Sequence, residues 1–205
     1  MTVIYEISAA EKQHCFRLAS MRNYNINKNK KFSAKHEKAN FTSNMIGMLG
    51  EFAISKILGI DHNLAPVYDG NSDGGVDLIY NHCKINIKTT HQRYSYDGND
   101  WAHVFCNFQP TIERLIEDLS RTDVFIHTSL GCGKDRACYC DEYIDNTNQT
   151  PIQVHITGIA STEKIIHLAQ RGLLKQLNSR FGVRWKIYKK DLSPLHHLFT
   201  YAHSI

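Results

Sequence analysis

Glu51, Asp77, Asn86 and Lys88 are the residues whose types and spacing could do chemistry together. Glu51 follows Gly50 within an apolar stretch, and Asp77 ends the run Asp73-Gly74-Gly75-Val76-Asp77. Lys88 lies near the end of Ile85-Asn86-Ile87-Lys88-Thr89-Thr90. A helix carboxylate, a strand carboxylate and a strand lysine in one place are the parts needed for metal-assisted phosphodiester cleavage. A divalent cation held by carboxylate and carbonyl oxygens polarises a phosphate and acidifies an attacking water. A neighbouring lysine positions or deprotonates that water, or stabilises the charge that develops. On this reading Glu51 and Asp77 hold the ion, with the Ile87 main-chain carbonyl as a further ligand. Lys88 is the catalytic cation and Asn86 assists.

The elements that must position these groups are a helix and a hairpin. From Thr42 to Leu58 the apolar residues surround the axis at roughly 100° per residue, which predicts a helix buried on most sides. Lys56 is the other charge in that span. A buried, ionised Glu51 needs a partner or a metal; the bland alternative is a partly exposed, solvated glutamate. Gly47 and Gly50 leave room for close approach to a sheet. Val76–Tyr80 and Cys83–Thr89 are strand-like, and Asn81-His82 is a plausible two-residue turn. That turn pairs Tyr80 with Cys83 and sets Asp77 opposite Asn86, about 5 Å apart at Cβ, with Lys88 diagonal to it. Alternation puts Ile85 and Ile87 on the core face and Asn86 and Lys88 on the other, with Asp77. Glu51 reaches the cluster if its helix packs across that second face. Asp73 is a reserve ligand or a turn former.

Gly50-Glu51-Phe52-Ala53, Gly74-Gly75-Val76-Asp77-Leu78 and Ile87-Lys88-Thr89-Thr90 together resemble the PD-(D/E)xK nuclease superfamily, particularly compact phage-type and restriction-like members. That resemblance implies an α/β fold, a restriction-endonuclease-like mixed central β-sheet flanked by α-helices. It also implies an endonuclease using Mg²⁺ or Mn²⁺ on DNA. Asn86 departs from the pattern, standing where the family has a second carboxylate. It keeps a neutral oxygen but removes a negative charge, which favours Mn²⁺ over Mg²⁺. The opposing reading is a catalytically inactive nuclease fold that binds DNA or inhibits a nucleic-acid-processing enzyme. A homodimer would suit double-strand cleavage.

The 205 residues suit one domain, and a formal charge of +4 is compatible with a nucleic-acid partner. Met1–Ala10 has no signal-peptide pattern, and no apolar run reaches the about 18 residues of a membrane span, so a cytoplasmic protein is expected. Ser8 and Glu11 form a capping-box pattern for a first helix that fades near Asn23. The stretch 22–38 is basic and asparagine-rich. It reads as a DNA-neutralising arm through Lys28, Lys30, Lys31 and Lys35, or as a solvated loop. In 91–101, Arg93 and Tyr94 could touch nucleic acid, while Trp101 could begin a buried strand running to Phe108. His91 and Gln92 lie near the site in sequence.

Pro110–Ser120 is predicted as a helix, and Asp123–Leu130 and Gln153–Ile159 as strands. A helix capped by Ser161 runs to about Ser179, and Val183–Tyr188 is a last strand before regular structure ends at Asp191–Leu195. Cys132, Cys138 and Cys140 cluster in a loop over 131–143. With His127 or His155 they could bind zinc, but without a Cys-x-x-Cys pair free thiols are favoured. Cys15, Cys83 and Cys106 look like small buried apolar residues.

Overall fold

The computed structural model describes residues 3–28, 34–61, 76–91, 101–105, 111–131, 151–179 and 182–202. Its first strand, β1 (Val3–Ile7), leads into α1 (Ala9–Lys28), followed by α2 (Ala34–Leu58). The hairpin β2 (Leu78–Tyr80) and β3 (Cys83–His91) comes next, then β4 (Trp101–Phe105), α3 (Ile112–Leu119) and β5 (Val124–Gly131). The chain continues through β6 (Ile152–Ser161), α4 (Thr162–Gln170), β7 (Lys175–Ser179) and β8 (Gly182–Tyr188). A 3₁₀ turn (Lys189–Asp191) and α5 (His197–Ala202) follow. Among the described residues no helix is long and apolar enough to cross a membrane.

The fold is mixed α/β. A five-stranded sheet has the order β1-β6-β5-β3-β2, and β4-β8-β7 form a second sheet. Among the described residues the β3–β5 pair of the larger sheet is parallel and its other neighbours run antiparallel. The antiparallel β2–β3 pair is closed by a tight turn, whereas the parallel β3–β5 pair needs a crossover, which contains α3.

Alternation gives the large sheet two distinct faces. One carries Ile85, Ile87, Val124, Ile126, Ile156 and Ile159, packed with Ile54 and Leu58 of α2 and with Leu198 of α5. Towards β1 the same face continues through Leu130, Val154, Ile152 and Ile7, packed against α2 and, through Cys15 and Ala19, α1. The opposite face carries Phe125 and Ala160. These pack with Leu115 and Leu119 of α3, Ile165 and Ala169 of α4, and Trp185 and Ile187 of β8. In β6 the register shifts opposite His127 and Thr128, so that Ile156 and Ile159 lie on one face although three positions apart. Gly158 permits this with a φ of +153°, and a Cβ there would come within 2.8 Å of the Ser193 carbonyl.

Local signals held at several positions. The Ser8 hydroxyl donates to the Glu11 carboxylate at 2.8 Å and the Ser8 N–H at 2.9 Å, completing the capping box. Ser161 caps α4 by accepting the Lys164 N–H. Asn81 and His82 both have positive φ, as a type I′ hairpin turn requires, and Tyr80 pairs with Cys83.

Several boundaries differ from the sequence reading. α1 runs past Asn23 to Lys28 and α2 begins at Ala34, so much of the expected loop over 22–38 is helical. Packing between the two helices, including an edge-to-face contact of Phe16 with Phe41, outweighs the weak helix propensity of asparagine. α4 stops at Gln170 instead of reaching Ser179, and 175–179 is a strand. Gly172, at φ +65°, ends it: its N–H donates to the Ala169 carbonyl, and that of Leu173 to Leu168. α5 follows Pro194 where regular structure was expected to end. The strand at Trp101 belongs to the second sheet, with 106–108 outside the described residues.

Candidate active site

α2 is enclosed as its apolar circumference requires, and Glu51 is 4% exposed, which excludes the solvated alternative. Gly50 rests on the large sheet, where an added Cβ would overlap Thr89 Oγ1 and lie 2.8 Å from Thr128 Oγ1. Those hydroxyls hydrogen-bond each other at 3.0 Å. Gly47 has a different role from the expected one: the nearest atom to a Cβ there is Glu51 Oε1, at 3.6 Å. Arg22 from α1 binds that carboxylate. The Arg22 Nη1 donates to Glu51 Oε1 at 2.8 Å and Nη2 to Oε2 at 2.9 Å.

Asp77 stands just before β2, at the mouth of the hairpin. The regular ladder stops at Leu78–Ile85, one pair short of the expected Asp77–Asn86 opposition. Asp77 is tied to β3 in another way: its N–H donates to the Ile85 carbonyl at 2.8 Å, and its Oδ2 accepts the Ile87 N–H at 2.6 Å. The N–H and carbonyl of one strand residue point to the same side, so the Ile87 carbonyl also faces the Asp77 edge. Asp77 and the Ile85–Ile87 main chain are therefore brought together by backbone geometry.

Asn86 and Lys88 point to the other face. They stand in register with Phe125 and His127 of β5, on the side covered by α3 and α4, whereas α2 covers the Ile87 side. Asn86 is 2% exposed and Lys88 is half-buried. The condition for Glu51 to reach the Asn86–Lys88 face, α2 packing across it, is thus not met: alternation fixes Ile85 and Ile87 as the apolar partners of Ile54 and Leu58. Beside Lys88, the ring of the buried His127 meets Thr90 Oγ1 at 3.2 Å.

A preformed divalent site is not what these groups make. Arg22 occupies both Glu51 oxygens, and no group of three or more His, Cys, Asp or Glu able to hold a metal exists among the described residues. Lys28 closes α1 and Lys35 lies near the start of α2. Lys30, Lys31, Asp73, Gln92, Arg93, Tyr94, Cys106, Cys132, Cys138 and Cys140 lie outside the described residues. Cys15 and Cys83 are buried free thiols, and burial holds the His155 ring below the ordinary histidine pKa.

A cleft of about 440 Å³ lies elsewhere, lined in part by Val124, Ser161, Lys164, His196 and Tyr201, and none of Glu51, Asp77, Asn86 and Lys88 lines it.

Two members of this region were not assigned to it from sequence: Arg22, grouped with the basic arm, and His127, weighed only as a zinc ligand. Arg22 carried a readable signal. Lys12, Cys15, Ala19 and Arg22 follow helical spacing, and the first three are almost fully buried, so Arg22 lies on the inward stripe of α1. No family model, curated protein or solved structure matches this chain.

Proposed function

We propose that this chain is an endonuclease of the PD-(D/E)xK type, dependent on Mg²⁺ or Mn²⁺, that hydrolyses DNA phosphodiester bonds. The observation that carries this reading is the 2.6 Å bond from the Ile87 N–H to the Asp77 carboxylate, next to Lys88 in sequence. It ties an acid to the strand that carries Lys88, which supports the pairing that the Gly-Gly-Val-Asp and Ile-Lys-Thr motifs imply. Lys88 is the group to steady charge growing on a phosphate or to hold the proton of the attacking water. Asp77 orients that edge. A divalent ion does not fit while Arg22 holds Glu51.

The test is cleavage of supercoiled and single-stranded DNA in Mg²⁺ and in Mn²⁺, wild type beside Lys88→Ala. Cleavage by wild type that disappears in the variant is expected. Intact DNA with both proteins sinks the proposal. The second reading, a silent nuclease fold that binds DNA or inhibits a nucleic-acid enzyme, is favoured by the buried amide at Asn86 and by the Arg22–Glu51 pair. Retarded but uncleaved DNA would support its DNA-binding form.

A further inference from the structure

The Arg22–Glu51 pair is the place where the donor set and the expected cation disagree. The side chains are 16% and 5% exposed, and the guanidinium fork takes both carboxylate oxygens at 2.8 and 2.9 Å. Such bidentate pairing is among the strongest hydrogen bonding open to a carboxylate. A carboxylate this deeply buried needs positive charge beside it, and Arg22 supplies that charge without a metal. Two sequence features build the arrangement. Arg22 is on the inward stripe of α1, and Gly50 seats α2 directly on Thr89 and Thr128.

We propose that Arg22 is an internal counter-ion that occupies the cation position at Glu51, and that a divalent ion binds there only by displacing the guanidinium. The inference rests on the nuclease reading of Glu51 and Asp77. Metal loading is then an exchange of one cation for another, linked to a change in how Arg22 at the C-terminal part of α1 contacts α2. The fraction of molecules with Arg22 withdrawn sets the apparent metal affinity, because only those present a free Glu51.

Arg22→Lys tests this while keeping the charge and the fold. A lysine lacks the fork and holds a carboxylate through one point, so it yields more readily. The measurement is Mn²⁺ binding followed by the electron paramagnetic resonance of the free ion, with thermal unfolding alongside. Arg22→Lys is expected to bind Mn²⁺ at least about tenfold more tightly than wild type. Arg22→Gln is expected to melt lower than wild type without metal and to recover stability in Mn²⁺. Arg22→Gln/Glu51→Gln, with no buried carboxylate left, should lose that Mn²⁺ response. If Arg22→Gln does not fold, Arg22→Lys decides alone.

Mn²⁺ binding that Asp77→Asn weakens but Arg22→Lys leaves unchanged would overturn the exchange and leave the nuclease reading standing. No Mn²⁺ binding by any of these proteins would overturn both.

Discussion

Gly50 of α2 and Thr89 of β3 are in such close contact that a methyl group on the glycine would occupy the space of the Thr89 hydroxyl. The helix carrying Glu51 is held at this height above the sheet by one missing side chain. Gly50→Ala must therefore push α2 away or rotate Thr89, breaking its 3.0 Å bond with Thr128. The expected cost is about 3 kcal/mol or more, at the upper end for overpacking. Urea denaturation of Gly50→Ala and of Gly50→Ala/Thr89→Ala measures it, and the double variant should recover part of the loss. Equal stability of Gly50→Ala and wild type would contradict this packing.

Restoring a carboxylate at position 86 carries a cost as well. Asn86 is nearly inaccessible on the α3-covered face, so Asn86→Asp buries a charge where an amide now sits. A loss of about 1–3 kcal/mol at pH 7 is expected. Burial raises the carboxyl pKa in the folded state above its unfolded value of about 4, so the loss grows as pH rises through that range and shrinks below it. Thermal melts of the variant and wild type at pH 4 and pH 7 check the sign. DNA cleavage gained by this variant and absent from wild type would favour the silent-fold reading.

Glu11 ties the start of α1 to β1 and gives stability a dependence on acid. Burial pushes its carboxyl upward, but bonds from the Ser8 N–H, the Tyr5 hydroxyl and the Ser8 hydroxyl, together with Lys56, lower it overall below the usual glutamate value. A depressed folded-state pKa contributes stability above the unfolded pKa and loses it as pH falls through the folded value. Glu11→Gln should then cost about 1 kcal/mol at pH 7, as for a lost cap, with the difference fading in acid. Guanidinium denaturation across pH 2–7 (about the carboxylate range) reads it directly. A difference that grows in acid would refute the assignment.

Cys15 and Cys83 should be inert thiols. Burial first, then the Glu11 and Glu51 carboxylates, pushes the Cys15 thiol far above its ordinary value. Burial, then Asp123, pushes Cys83 up to about 11. The thiolate is the reactive form, so neither should react with a thiol reagent at pH 8 until the chain is denatured. The variant with Ser at Cys106, Cys132, Cys138 and Cys140 isolates these two. Rapid labelling of that native variant would disprove their burial.

What was legible in the sequence was local. The Ser8–Glu11 box, the Ser161 cap and the Asn81-His82 turn each depend on bonds between residues a few positions apart, and each formed as read. The enclosed α2 followed from apolar residues all round its axis. Gly172 was an equally local stop signal for α4, overlooked because Leu173 and Leu177 extended the apolar spacing past it. The candidate site was legible in one part: Asp77 meets the Ile87 main chain because a two-residue turn fixes the register between the strands.

Tertiary structure alone decided the rest. Residue order cannot say which sheet face a helix covers, and α2 went to the Ile85–Ile87 side because that is where apolar area can be buried. This choice separated Glu51 from the Asn86–Lys88 face. Its partner then came from Arg22, 29 positions away in the chain, because a buried carboxylate takes the nearest charge that packing delivers.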